Sequence, residues 1–149
     1  MALIDLIEPD VVKIPMESTT KYDVMRELAT LLETAGRVPD REPVIDALME
    51  RESKGSTGLE MGIAVPHCKT TKVDGLVLAI GIAPDGIEFE SLDGKPAQLF
   101  FMMLAPPDQS GPHIEALSEI ARLTQSASFC RALLSSTTPE EVVELFGED

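Results

Sequence analysis

The chain has 149 residues, and its 26 Asp and Glu outnumber its 12 Lys and Arg, which gives a formal net charge of -14. This length favours one domain, so residues 1–149 are expected to form a single unit. An acidic surface repels phosphate backbones and anionic lipid, which excludes nucleic acid and membrane surfaces but suits a basic protein partner. We found no membrane-spanning run, no signal peptide and no disulfide framework, so we expect a cytoplasmic protein.

Two amphipathic helices are predicted in the first third of the chain. In residues 20–35, apolar side chains have the spacing of one helix face, at Val24, Met25, Leu28, Leu31, Leu32 and Ala35. Serine and threonine cap oxygens precede this segment, and a glycine follows it. A second helix is predicted from Asp40, as its N-cap, to near Arg51, with a glycine-rich loop over residues 52–62.

The periodicity changes in the middle of the chain, where short apolar runs bounded by Gly, Pro and Asp predict buried strands. These runs cover residues 63–65, 75–83 and 97–104, and residues 87–89 are predicted to add an edge strand. Because the runs are continuously apolar except for Gln98 and do not alternate, they indicate a sheet that helices cover on both faces.

The helical period returns after residue 112. One face of a long helix is predicted to carry Ile114, Leu117, Ile120 and Ala121. Two shorter helices are predicted over residues 128–134 and 139–146, the second with Thr138 as its cap. This order of elements predicts an α/β fold, a three-layer sandwich in which a mixed β-sheet is flanked by helices.

His67 is the first candidate functional residue, because it follows a proline at the end of the apolar segment Gly62-Ile-Ala-Val-Pro-His67. Proline fixes the backbone and blocks a helix, so the imidazole is held rigidly where the strand ends. Such strand ends are where α/β folds usually bind ligands. A neutral imidazole is nucleophilic at physiological pH and can accept a phosphoryl group. The alternative is an exposed or hydrogen-bonded histidine without a role, which these surroundings disfavour.

His113 and Arg51 are further candidates for contact with a phosphoryl group. His113 opens the long helix, whose N-terminus favours a phosphate and opposes protonation of an adjacent imidazole. A helix residue that simply faces water is the alternative, and position alone does not decide between them. Arg51 precedes residues 55–58, whose backbone N–H groups we expect to turn toward an anion. Its guanidinium suits bidentate binding of phosphate, although an Arg in the last turn of a helix is also ordinary dipole compensation.

A family resemblance rests on the segment Arg51-Glu-Ser-Lys-Gly-Ser-Thr-Gly58, together with the Pro-His segment that ends at His67. Both segments resemble the signature of type-2 enzyme IIA domains. These domains form the fructose, mannitol and nitrogen-regulatory class of the bacterial phosphoenolpyruvate-dependent phosphotransferase system. The resemblance runs nearly end to end, because Phe100–Pro106 and the segment from His113 to Leu123 are similar to the family's later strand and histidine-led helix. The fold that it implies, a mixed sheet between helices, agrees with the pattern above.

The resemblance implies that His67 is phosphorylated, that Arg51 contacts the phosphoryl group and that His113 supports the phosphorylated imidazole by hydrogen bonding. The donor would be the histidine phosphocarrier protein, and the acceptor a IIB domain that serves sugar uptake, which makes the chain a phosphotransferase component. The alternative is a nitrogen-regulatory member whose phosphorylation state controls binding to transporters or kinases. This mechanism requires no metal and no cofactor.

Two residues depart from the family pattern. Glu60 stands where members usually have a small residue, and a carboxylate beside a phosphohistidine is costly if desolvated but not in water. We therefore expect Glu60 to face solvent. Cys68 also replaces a small residue. Because His67 and Cys68 are adjacent in an extended segment, they point to opposite faces and are poorly placed to ligate one metal ion.

Overall fold

The computed structural model describes residues 3–147. The chain begins with two short 3-10 turns and a strand, which are Leu3–Leu6, Pro9–Val11 and β1 (Val12–Lys13). Two helices follow, α1 (Lys21–Thr34) and α2 (Arg41–Glu52). The remaining strands are β2 (Ile63–Ala64), β3 (His67–Lys69), β4 (Val77–Ile87) and β5 (Ala97–Ala105). Three helices complete the described chain, α3 (Ser110–Thr124), α4 (Ala127–Ser135) and α5 (Pro139–Gly147).

The strands form one mixed sheet in the order β1-β4-β5-β2, with β3 also paired to β5. β4 and β5 are antiparallel, whereas β1 is parallel to β4, and β2 and β3 are parallel to β5. Ile63 of β2 lies opposite Leu99, and His67 of β3 lies opposite Met103 farther along the same strand. Strand β5 therefore fixes the position of the Pro-His segment.

Helices cover both faces of this sheet. Alternate residues of β5 face two cores, since Phe100 and Met102 pack with α1 and α2, while Phe101 and Met103 pack with α3, α4 and α5. A strand that is buried on both faces favours apolar residues at nearly every position, which explains why the half-buried Gln98 is the one polar residue of β5. The predicted α/β fold, a three-layer sandwich with a mixed β-sheet flanked by helices, is confirmed.

Three helices begin next to the residues that were predicted as their N-caps. Thr20 Oγ1 accepts a hydrogen bond from the Asp23 N–H at 3.2 Å, and Asp40 caps α2 in the same way. Thr138 Oγ1 accepts from the Glu141 N–H at 3.2 Å at the start of α5. Among residues 3–147, no helix is long and apolar enough to cross a lipid bilayer.

One strand prediction and one helix end need correction. The predicted edge strand at residues 87–89 is wrong, because Ile87 is the last residue of β4 and still pairs with Ala97 after an irregularity in the ladder. Glu52, which was assigned to the loop, is instead the last residue of α2. The short strands β1 and β3 were not predicted.

The buried face of α3 also differs from the prediction. Its buried residues are His113, Ala116, Ile120 and Thr124. Ile114 is 62% exposed, and Ala121 also faces solvent. The stripe toward the sheet therefore begins with the histidine. The prediction was right for Ile120 and for Leu117, which packs against the core, and wrong for Ile114 and Ala121.

Candidate functional site

His67 is held by the pairing of β3 with β5. The Met103 N–H donates to the Pro66 carbonyl at 3.0 Å, which fixes the backbone just before the histidine. Successive side chains of an extended strand point to opposite sides. Accordingly, Cys68 is buried in the core beneath α1 and α2, whereas His67 is half-buried and meets α3. The predicted divergence of these two side chains is confirmed.

The structure brings the two histidines together. His113 lies in the first turn of α3 and is only 5% exposed, so the alternative of a residue facing water is wrong. Its ring centroid lies 5.3 Å from that of His67, with the ring planes at 80° in an edge-to-face arrangement. The two imidazoles meet because β3 runs parallel to β5 and because α3 follows directly after the end of β5.

One hydrogen bond determines the tautomer of His67. Its Nδ1 lies 2.7 Å from the carbonyl oxygen of Val65. A carbonyl oxygen can only accept, so Nδ1 carries the proton and donates it. The lone pair of the neutral ring is then on Nε2. His67 is therefore arranged as a nucleophile at Nε2 and not at Nδ1.

His113 is held in its uncharged form. Burial, followed by the charges of His67 and Lys69, lowers the pKa of His113 below its ordinary value of 6.5. The leading cause is loss of solvent around the ring and not the helix dipole, which the sequence had suggested. His113 Nε2 is buried and has no hydrogen-bond partner among the described residues. Buried polar atoms without partners are uncommon, and a functional role is one explanation for them.

Arg51 lies in the last turn of α2, as predicted, and its Nη1 donates to the Gly55 carbonyl at 2.8 Å. The N–H groups of the following loop do not turn toward an anion as expected. The Gly55 N–H donates to the Glu52 carbonyl at 3.1 Å, and the Gly58 N–H donates to a serine hydroxyl. The Thr57 N–H donates to the Glu52 carboxylate at 3.1 Å. For Gly55, Thr57 and Gly58 that prediction was wrong, because the loop uses these three donors internally.

An open cleft of about 500 Å³ contains all three predicted site residues, Arg51, His67 and His113. Two lysines that sequence analysis did not single out, Lys54 and Lys69, also line it. The acidic side chain in the lining is a glutamate 3.9 Å from Lys54. Three cationic side chains beside two imidazoles make this cleft suitable for an anion, although the whole chain is acidic.

Lys69 connects the two histidine-bearing elements. Its Nζ donates to the Ser110 Oγ at 2.7 Å, which joins β3 to the start of α3. Lys69 is two residues beyond His67 in an extended strand, so both side chains leave the strand on the same side. The two-residue spacing from His67 could have identified Lys69 as a site residue in the sequence. It does so only once residues 67–69 are known to form a strand.

The two residues that depart from the family pattern do not obstruct the site. Glu60 is exposed and does not line the cleft, so the expectation that it faces solvent is confirmed. Burial raises the pKa of the Cys68 thiol to about 12, so the thiol stays protonated and is a poor nucleophile at neutral pH. The buried thiol of Cys68 therefore does not compete with the imidazole of His67 as a nucleophile.

Comparison with known proteins identifies the family. The family described as "Phosphoenolpyruvate-dependent sugar phosphotransferase system, EIIA 2" matches residues 5–148. The chain belongs to this family. It is 35% identical over 148 residues to the fructose-specific EIIABC component of Bacillus subtilis, which covers 99% of the chain but only 23% of that relative. It is 34% identical over 148 residues to the fructose-specific EIIA component of Haloferax volcanii, which covers 99% of the chain and 91% of that protein.

The structural comparison agrees with the sequence. The nitrogen regulatory protein IIA-Ntr from Neisseria meningitidis has the same fold, with a TM-score of 0.89 and 29% identity. The match covers 97% of the chain and 98% of that structure. This EIIA domain is thus similar both to fructose-specific components and to a nitrogen regulatory protein, and its family is that of a phosphotransferase component.

Proposed function

We propose that this EIIA domain is a phosphohistidine carrier. It accepts a phosphoryl group on His67 Nε2 from the histidine phosphocarrier protein and passes it to a IIB component for sugar uptake. The observation that carries the proposal is the tautomer of His67, because its Nδ1 is committed to the Val65 carbonyl at 2.7 Å. Only Nε2 then has a free lone pair, on a half-buried ring that lines an open cleft. We extend the IIA assignment to residues 1–149 as one domain that acts in the cytoplasm.

The transfer exchanges one phosphorus–nitrogen bond for another. The bond between phosphorus and the donor imidazole breaks as the bond between phosphorus and His67 Nε2 forms. The donor nitrogen keeps the electron pair of the broken bond. His67 Nδ1 keeps its proton, which it donates in the hydrogen bond to the Val65 carbonyl. In the step to a IIB component, the bond between phosphorus and His67 Nε2 breaks as a bond between phosphorus and the nucleophile of the acceptor forms, and His67 Nε2 keeps the electron pair of the broken bond. Catalysis then consists mainly of positioning and charge stabilisation.

The remaining side chains of the cleft supply that stabilisation. The Arg51 guanidinium suits the oxygens of a phosphoryl dianion. Lys69 adds a second positive charge on the side of β3 that carries His67. His113 packs against the His67 ring and stays uncharged, since burial lowers its pKa. We assign to its unpartnered Nε2 the hydrogen bond that supports the phosphorylated site.

A reconstituted phosphorylation assay tests the proposal. The wild-type chain and a His67→Ala variant are incubated with phosphoenolpyruvate, enzyme I and phosphocarrier protein. We expect phosphate on the wild-type chain alone, labile in acid, with 31P NMR reporting attachment at Nε2. Circular dichroism should show the same fold for both proteins. Undiminished phosphorylation of His67→Ala, or an acid-stable product, would overturn the assignment, and attachment at Nδ1 would contradict the tautomer argument.

A regulatory role is the second candidate, favoured by the fold match to a nitrogen regulatory protein at a TM-score of 0.89. In that case, phosphorylation of His67 would change binding to a transporter or a kinase. Transfer from the phosphorylated chain to a fructose-type IIB component would support the transport role. Phosphorylation of His67 without transfer to IIB would support the regulatory role.

A further inference from the structure

A buried carboxylate lies directly beside Arg51 in sequence. Glu52 ends α2 and is only 7% exposed, and its Oε2 lies 2.6 Å from Lys21 Nζ on α1. Lys21 also packs over the Phe89 ring at 4.9 Å from its centroid and approaches Glu90 at 3.2 Å. A buried ion pair contributes little net stability compared with apolar side chains of similar volume. Stability alone therefore does not account for a carboxylate at this position.

Glu52 binds the loop that follows it. Both of its carboxylate oxygens accept the Thr57 N–H at 3.1 Å, and the Thr57 hydroxyl donates to Oε1 as well. Thr57 is 2% exposed, so these hydrogen bonds are shielded from water. The carboxylate therefore joins the end of α2 to the far side of a short loop, and the residues between them form a closed turn.

This closed turn holds the guanidinium of Arg51. Gly55, in the middle of the turn, accepts from Arg51 Nη1 at 2.8 Å. The Gly55 N–H, which belongs to the preceding peptide group, donates to the Glu52 carbonyl at 3.1 Å, which restrains the backbone of Gly55 next to this carbonyl. An unrestrained arginine side chain must lose considerable rotamer entropy to hold one geometry. A carbonyl fixed in the loop limits that loss before any phosphoryl group arrives.

We propose that Glu52, acting through Thr57 and the Gly55 carbonyl, is a positioning residue for Arg51 in phosphoryl transfer. This inference rests on the proposed function, because it needs Arg51 to contact the transferred group. Glu52 itself does not line the cleft, so it acts only through the loop. Misplacing a catalytic group by about 1 Å can cost roughly 100-fold in rate, and a loosened loop would let the guanidinium move by such a distance.

Steady-state phosphorylation of Glu52→Gln tests this role. We expect the maximal rate of transfer to fall roughly 10- to 100-fold, with little change in the KM for phosphocarrier protein. In an Arg51→Ala background, the same Glu52→Gln change should have no further effect on the rate, because its target is gone. Additive losses in the double variant would overturn the proposal, since Glu52 would then act independently of Arg51.

Two sets of variants separate positioning from stability. Thr57→Ser keeps the hydroxyl and should retain the wild-type rate, whereas Thr57→Val removes it and should lower the rate. If Glu52→Gln does not fold, this pair of variants still tests the positioning role. Glu27→Gln is the matched control. The Glu27 carboxylate on α1 accepts hydrogen bonds at 3.0 Å from the N–H groups of Glu17 and Ser18, which belong to a loop that does not line the cleft. It should lower stability in urea without lowering the rate.

The failures of the two proposals are distinguishable. If the wild-type chain is phosphorylated on His67 and Glu52→Gln reacts at the wild-type rate, the positioning role is wrong and the proposed function stands. An equal rate loss in Glu27→Gln would also overturn the positioning role, because any loosened loop would then slow the reaction. If the wild-type chain is not phosphorylated on His67, both proposals fail.

Discussion

Truncating Ile114 to alanine is expected to weaken binding of the phosphocarrier protein while leaving the fold intact. Ile114 is 62% exposed in the first turn of α3 and lines the cleft beside His67 and His113. The two described apolar side chains of comparable exposure, Met61 and Leu92, lie outside this cleft. A large apolar side chain at the rim of a reactive cleft gains free energy when a partner covers it.

The magnitude follows from the exposed fraction. Complete burial of an isoleucine side chain contributes about 1.5–3 kcal/mol. Because 62% of Ile114 is still exposed, covering it should contribute about 1–2 kcal/mol, most of which the alanine variant loses. Each tenfold change in Kd corresponds to about 1.4 kcal/mol, so Kd should rise about 5- to 30-fold. The free energy of unfolding should change by less than about 0.5 kcal/mol, as is usual at exposed positions.

Isothermal titration of unphosphorylated phosphocarrier protein into each variant measures this Kd directly. Leu92→Ala is the matched control, because Leu92 is 73% exposed but lies outside the cleft. Urea unfolding of both variants shows whether the fold is intact. If Ile114→Ala binds like the wild type, or if Leu92→Ala loses as much affinity, the partner does not dock over the rim of this cleft.

A methyl group added at Gly81 on β4 should destabilise the fold by about 1–3 kcal/mol in urea unfolding, as overpacking does. The added Cβ of Gly81→Ala would overlap Met16 Sδ, whereas the Cβ of Gly75→Ala meets open space and should leave the stability nearly unchanged. If both variants lose the same stability, the packing argument is wrong. Stability should be complete above pH 6.5 and decline below it, because the lowered pKa of His113 makes the unfolded chain bind more protons there. His113→Gln should flatten that pH dependence, and an unchanged slope would refute the cause. Stopped-flow association with a basic phosphocarrier should slow as salt rises, given the net charge of -14. An association rate that does not change with salt would show that electrostatic attraction does not speed this encounter.

The elements that sequence predicts best are those whose pattern is set locally and repeated. In α1, apolar residues recur over several turns and Thr20 supplies the cap, so its bounds agree with the prediction to within a residue. Strand β5 was equally clear, because burial on both faces leaves a continuous apolar run from Leu99 to Ala105. The position of Arg51 at the end of α2 followed from the same kind of pattern.

The buried face of α3 was mispredicted because apolar spacing takes every hydrophobic residue as part of the core. His113 and Thr124 are buried, the latter with its hydroxyl bonded to the Ile120 carbonyl at 2.8 Å, whereas Ile114 is exposed at the cleft. The deviation thus occurs where the helix contributes to the site. A polar residue in the core and an apolar residue in water are the expected signs of such a position.

Strands β1 and β3 were missed for a different reason. Strand β1 has two residues and β3 has three, which is too short for any period to appear. Each becomes a strand by pairing with β4 or β5, and sequence alone does not show which residues will pair. The orientation of Lys69 depends on that pairing, so this cleft residue was missed with the strand. The hydrogen bonds inside the loop after α2 were missed for the same reason.

The geometry of the cleft divides into a part that the sheet fixes and a part that it does not. His67 lies opposite Met103 of β5, and His113 follows the end of the same buried strand, so one rigid element positions both imidazoles. Arg51 instead ends a helix and reaches the cleft beside a loop. Its geometry has to be fixed separately, because no strand constrains it. The buried Glu52 carboxylate supplies this constraint from behind the cleft, which explains why a costly buried charge lies next to Arg51 although it does not line the cleft itself.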